Sequence, residues 1–205
     1  MLERGRPALH YPKSSSRYLA AYLDRLHGMA SKKKVMIVFG SGGHTSEMLS
    51  FIKRFPSEQY GPFFLVVATT DMHSQCQVEQ ENLVFSDDMA WFTVNRAREV
   101  KQSFLPSIIS SLICSSQSII LLLKLKPDLL MVNGPGTCVP LCLIARFLNW
   151  LGFLSASIIF IESFCRVNSL SISGRIVYFI CDKLVVQWQN LRRKYPRAEY
   201  IGSIY

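Results

Sequence analysis

The chain has 205 residues, 49% of them hydrophobic, which suits one sizeable domain with a core and exceeds what a small solvated module needs. Its formal charge of +9 is front-loaded: residues 1–34 hold eight Lys or Arg against Glu3 and Asp24, a local excess of +6 that favours an anionic membrane surface or nucleic acid as neighbour. The six cysteines form no C-x-x-C and mostly lie in apolar runs, no Asn-x-Ser/Thr acceptor occurs and no secretory core leads the chain, so a reducing, cytosol-facing compartment is expected.

Residues 1–33 read as a basic arm. Within it Tyr18, Leu19, Tyr22, Leu23, Leu26 and Met29 fall on one helical stripe, a pattern suited either to a membrane interface or to packing on the domain. The domain proper, 34–205, opens with an apolar strand, Val35–Phe39, that runs into Gly40, Gly42 and Gly43 and then a helix start. Thr45 is the expected N-cap and Glu47 the first-turn acid, so unpaired N–H groups and a positive helix end aim at one spot suited to phosphate.

Phe63–Ala68 and Met89–Val94 are the next strands, separated by a polar stretch from Asp71 to Asn82. A chargeless run, Gln102 to Leu123, predicts a helix over Ser107–Lys124, and its seven serines favour burial or membrane contact over a full span. Leu129–Val132 is a strand ending in a second glycine loop, Asn133 to Pro140, and a helix follows to Trp150. Ser157–Ile161 is a strand delivering Glu162, Ser163 and Arg166 to a loop, Ser169–Cys181 a helix, and Leu184–Gln187 a last core strand. The alternation predicts an α/β, Rossmann-like and mostly parallel sheet with helices on both faces.

In such a sheet ligands sit beyond the carboxyl ends of the strands, where GSGGHT, NGPGT and ESFCR all fall. His44 is a candidate general base or phosphate donor, Glu162 a carboxylate for a sugar hydroxyl, Arg166 a phosphate clamp, and Asn133 and Thr137 hydroxyl partners. An ion pair between Glu162 and Arg166 is the structural alternative. A nicotinamide fingerprint fails where Thr45 replaces its third glycine, and G-x-S-x-G and H-E-x-x-H are absent. No metal is expected, the pair Cys138 and Cys142 lacking nearby partners.

GSGGHTSEML, RAREVKQS, KPDLLMVNGPGTCVP, IESFCRV and VVQWQNLRRKYPRAEYIG, in that order, closely resemble the acceptor-binding, membrane-recruiting subunit family of the dolichol-pathway UDP-N-acetylglucosamine transferase. The resemblance covers about residues 34 to 204. It implies the N-terminal half of a split GT-B glycosyltransferase, similar also to the first half of the bacterial enzyme that converts lipid I to lipid II.

A separate soluble subunit would bind UDP-N-acetylglucosamine, and this chain the acceptor dolichyl-diphospho-N-acetylglucosamine. Addition of the second sugar would proceed with inversion at the cytosolic face of the endoplasmic reticulum membrane, without metal, other cofactor or nucleic acid. Carried onto this chain, the resemblance makes Gly42, Gly43, His44 and Thr45 a diphosphate and acceptor loop, joined by Asn133, Gly134, Gly136, Thr137 and Arg166. His44 is the first candidate base and Glu162 the second, and Tyr195, Tyr200, Ile201 and Tyr205 fall in the partner-docking tail. A second reading makes the chain a membrane scaffold that only localises the catalytic partner. A third, an independent nucleotide-binding protein, meets the failed fingerprint at Thr45.

Overall fold

The computed structural model describes residues 32–55, 60–81, 88–95, 104–134 and 138–204, with side chains of the long helix from residue 113 onward. The arm up to residue 31, Gly136, Thr137 and Tyr205 lie outside the described residues.

Seven strands form one sheet in the order β3-β2-β1-β4-β5-β6-β7, and each neighbouring pair is parallel. They are β1 (Lys33–Val38), β2 (Tyr60–Ala68), β3 (Met89–Val94), β4 (Leu129–Asn133), β5 (Ser157–Ile161), β6 (Lys183–Val186) and β7 (Ala198–Tyr200). The central strands are apolar on both sides because alternate residues point to opposite faces and both faces are covered. Met36, Val38, Leu130 and Val132 point to one core, and Val35, Ile37, Leu129 and Met131 to the other. Full burial of each such side chain contributes about 1.5–3 kcal/mol.

Helices α1 (Gly43–Ile52) and α2 (Met72–Gln80) cover the second face through Met48, Leu49, Phe51, Ile52 and Val78. The first face carries α3 (Phe104–Leu125), α4 (Cys138–Trp150), α5 (Ile172–Val177) and α6 (Gln189–Lys194), which contribute Leu122, Leu141, Val177 and Leu191 among others. Cys138, Cys142 and Cys181 are core side chains here, and burial pushes the Cys138 thiol up to about 12.

The polar stretch after Asp71 holds a helix that no apolar period announces: the Asp71 carboxylate accepts the Ser74 N–H at 3.2 Å, capping α2. Other expectations are corrected. Helix α3 starts at Phe104 rather than Ser107, with Pro106 inside a first turn whose N–H groups have no intrahelical acceptor to lose. The helix expected over Ser169–Cys181 shrinks to Ile172–Val177, begun by Ser171, whose hydroxyl accepts the Gly174 N–H at 2.9 Å. The tail after Gln187 is folded, holding α6 and β7.

Candidate functional site

The strand order reverses between β1 and β4, so the helices that follow them leave in opposite directions and a crevice opens at their carboxyl ends. The two strand ends approach closely: a Cβ at Gly40 would lie 2.6 Å from the Asn133 carbonyl oxygen, so only glycine fits. Gly42 (φ 65°) then turns the chain into α1 as its N-cap, and Gly134 (φ 97°) turns it out of β4. Thr45 is therefore not the cap. It is buried, donates from Oγ1 to the Gly40 carbonyl at 2.5 Å and lies 2.6 Å from Ser74 Oγ, bracing the loop from behind.

The crevice holds a cavity of about 440 Å3 lined by Gly43, His44, Glu47, Gly134, Glu162, Ser163, Cys165, Arg166, Ser171, Ile172 and Ser173. Of the residues singled out from sequence, Gly43, His44, Gly134, Glu162 and Arg166 thus meet at one rim. Asn133 lies beneath it, wholly buried.

One residue that sequence reasoning passed over organises the rim. Glu47 is 5% exposed, and its carboxylate is gripped from two strand ends and from its own helix. Oε1 accepts the Ser163 hydroxyl at 2.6 Å and the Phe164 N–H at 3.1 Å; Oε2 accepts the Asn133 amide at 3.1 Å and lies 3.3 Å from His44 Nδ1. Burial pulls the Glu47 carboxyl up, but the hydrogen bonds from His44, Ser163 and Asn133 outweigh it and leave it below its ordinary value. The same Glu47 hydrogen bond raises His44 above its usual range against the opposing effect of burial. Among the described residues, Asn133 Oδ1 is buried without a hydrogen-bond partner.

Glu162 behaves differently. Burial raises its pKa, although its oxygens accept the Ser163 N–H at 3.1 Å and the Ser171 N–H at 2.9 Å, with Ser171 Oγ at 3.1 Å. No ion pair with Arg166 forms; the serines hold Glu162 instead, and Arg166 extends exposed along the cavity. The loop after β5 is further fixed by the two residues that follow β6: Gln187 Nε2 donates to the Glu162 carbonyl at 3.4 Å and Trp188 Nε1 to the Phe164 carbonyl at 2.6 Å. The signal for Glu47 was present as its spacing of three from His44, which places both on one helical face. Ser163 stood in the strand-end loop that ESFCR marks, whereas Ser171 carried no such sign.

The tail residues separate. Tyr195 ends α6 and packs on Tyr178 with ring centroids 5.7 Å apart, and Ile201 rests on the second core. Tyr200, on the edge strand, is about half exposed. Away from the rim, the ends of α4 and α5 carry Phe147, Trp150, Phe153, Ile176 and Phe179 at the surface, with Trp150 79% exposed. Ile172, 78% exposed and one helical turn before Ile176 on the same face of α5, also lines the cavity.

The family described as "oligosaccharide biosynthesis protein Alg14 like" matches residues 35–204. The rat "UDP-N-acetylglucosamine transferase subunit ALG14" is 39% identical over 178 residues, covering 83% of this chain and 82% of its own. Its human counterpart is 38% identical over 178 residues, with the same coverage. Among solved structures, Acinetobacter baumannii MurG superposes with a TM-score of 0.56 at 16% identity, over 77% of this chain and 42% of its own. A UDP-N-acetylglucosamine 2-epimerase gives 0.56 at 17%, over 81% and 45%. The chain thus spans less than half the length of these structural neighbours, and at such identity the likeness concerns the fold: a Rossmann-like parallel sheet that resembles one half of a GT-B architecture.

Proposed function

The chain belongs to the Alg14-like family of oligosaccharide biosynthesis proteins, and on that premise we propose that it is the acceptor-side subunit of a heteromeric UDP-N-acetylglucosamine transferase. It binds dolichyl-diphospho-N-acetylglucosamine in the strand-end cavity and brings a soluble, donor-binding subunit to the cytosolic face of the endoplasmic reticulum membrane. The observation that carries the reading is the partly exposed His44 imidazole at the start of α1, lining the strand-end cavity together with Glu47, Glu162 and Arg166 at the point where the strand order reverses.

In the reaction, the acceptor 4-hydroxyl oxygen bonds to the anomeric carbon of the donor, the bond from that carbon to UDP breaks, and His44 takes the hydroxyl proton. Inversion follows from displacement on the opposite face. The diphosphate suits the open N–H groups at the start of α1 and the Arg166 guanidinium. Because the donor sits on the other subunit, alignment of the reactants depends on both. Tyr195, Tyr200, Ile201 and Tyr205 supply the docking tail, of which the exposed Tyr200 is the best-placed handle.

Among the described residues no helix is long and apolar enough to cross a membrane. Attachment by these residues is therefore peripheral, through the aromatic surface of α4 and α5 that adjoins the cavity at Ile172. The polyprenyl tail leaves over that edge into the bilayer.

Co-purification with the partner, followed by a transfer assay on a short-chain lipid diphosphate acceptor, tests the reading. Transfer is expected only with both chains. Full turnover by this chain alone, or none by the assembled pair, overturns it.

A further inference from the structure

We infer that Glu47 is a positioning residue for His44: it holds the proton on Nδ1 and leaves Nε2 as the atom that accepts the proton of the attacking hydroxyl. The inference rests on the proposed reaction for its consequence but on hydrogen-bond geometry for its premise.

An ionised carboxylate only accepts hydrogen bonds, and its two oxygens offer about four acceptor sites. At Glu47 all are taken up. The Ser163 hydroxyl and Phe164 N–H point at Oε1, and the Asn133 amide and His44 Nδ1 at Oε2. Three of these partners donate, and the fourth must do so too, since a bare Nδ1 lone pair facing a buried carboxylate would be repelled by it. A neutral imidazole with its proton on Nδ1 has its free lone pair on Nε2. When Nε2 gains a proton during transfer, the resulting imidazolium lies beside a carboxylate that is already ordered. No reorganisation is needed at that moment.

The carboxylate also has the length the task needs. From α1 it reaches both the end of β4 and the loop after β5, so the base is tied through Glu47 to two further strand ends at once. Among the described residues, other groups facing His44 are few. Glu162, from the end of β5, adds a further negative field, Cys165 and Arg166 line the same cavity, and β4 contributes Asn133 and Gly134, which do not titrate. The raised basicity of His44 agrees with this arrangement.

Two measurements test the inference. In the full chain labelled with 15N-histidine, the His44 resonances, assigned by their loss in His44→Ala, should report the Nδ1–H tautomer in the neutral state. The Nε2–H tautomer would overturn the assignment without any variant having to fold. In the assembled transferase, Glu47→Gln keeps the side-chain shape, and Asn133 Oδ1, which lacks a partner among the described residues, can turn to accept from the new amide. We expect a fall in kcat of about 100-fold with acceptor KM little changed, on general-base magnitudes. The acid limb of the pH–rate profile and the His44 titration should both move to lower pH. In the His44→Ala background the same change should add almost nothing. An unmoved pH profile with a rate loss additive to that of His44→Ala would make Glu47 merely structural. Absence of transfer by the wild-type pair would sink the proposed reaction and leave the tautomer result standing.

Discussion

The strand-end cavity and the outer surface of α4 and α5 depart from the usual sorting of side chains in opposite directions. The cavity hides Glu47, Asn133, Glu162 and Ser163 from water, whereas the outer surface leaves Phe147, Trp150, Phe153, Ile176 and Phe179 in it. Buried carboxylates are costly unless hydrogen-bonded, and a contiguous exposed apolar patch marks a surface that meets another phase or molecule. Under the proposed function each departure has a use, since a lipid-linked acceptor would bring a charged head to one region and a hydrocarbon tail to the other. Ile172 lines the cavity and stands one helical turn before Ile176 of the outer surface.

The contrast can be broken most forcefully at His44. His44→Ala should lower the transfer rate by about 100-fold or more. Its thermal midpoint should stay near that of the wild type, because the ring is 30% exposed. An unchanged rate would reduce the cavity to a folding feature and favour the scaffold reading.

The next largest effect is expected at Gly174, where an added Cβ would collide with Glu162 Oε2. Gly174→Ala should cost about 1–3 kcal/mol in urea unfolding, as overpacking does. A neutral result would mean that Glu162 is free to move and does not anchor the loop.

On the apolar side, Phe153→Ser should weaken sedimentation with anionic liposomes roughly tenfold, given about 1.5–3 kcal/mol for burying such a side chain. Unfolding free energy should shift by no more than about 0.5 kcal/mol, as for surface positions. Equal liposome binding would separate this surface from the lipid.

The smallest expected effect concerns pH. The Glu47 carboxyl is held below its ordinary 4.5, so its contribution to stability is present above that value and fades as pH falls through the folded pKa. His44 is raised above 6.5, so its contribution is complete below that value and is lost as pH rises through the folded pKa. The destabilisation caused by Glu47→Gln should therefore be greatest between pH 4.5 and 6.5 and shrink on either side, as read from paired urea titrations. A penalty independent of pH would mean that the two groups do not act as an ion pair.

Much of the sheet was legible because buried parallel strands are written as unbroken apolar runs, and those from Val35, Phe63, Met89, Leu129, Ser157 and Leu184 are all found. Helix α2 was not, since Ser74 and Val78 are its buried residues and no apolar period marks it. Strand β7 is three residues long and leaves no alternation to read. At the site, His44, Gly134, Glu162 and Arg166 were legible because each stands at or just beyond a strand end. Glu47 was taken for a helix-end charge because an acid at that spacing usually faces water. Its burial depends on Asn133 and Ser163, 86 and 116 residues away, and no local pattern carries that information.

The Gln187 side chain has a consequence for deletion experiments. Its Nε2 holds the Glu162 carbonyl, while its Oε1 accepts the N–H of Ile204, a residue 3% exposed near the C-terminus. One amide therefore ties residue 204 to the floor of the strand-end cavity. Under the proposed function, trimming these residues would remove a subunit contact and slacken that floor in the same stroke, so a truncated protein that fails in cells would have two defects superimposed. A single replacement at Tyr200, which leaves this tether in place, tells them apart.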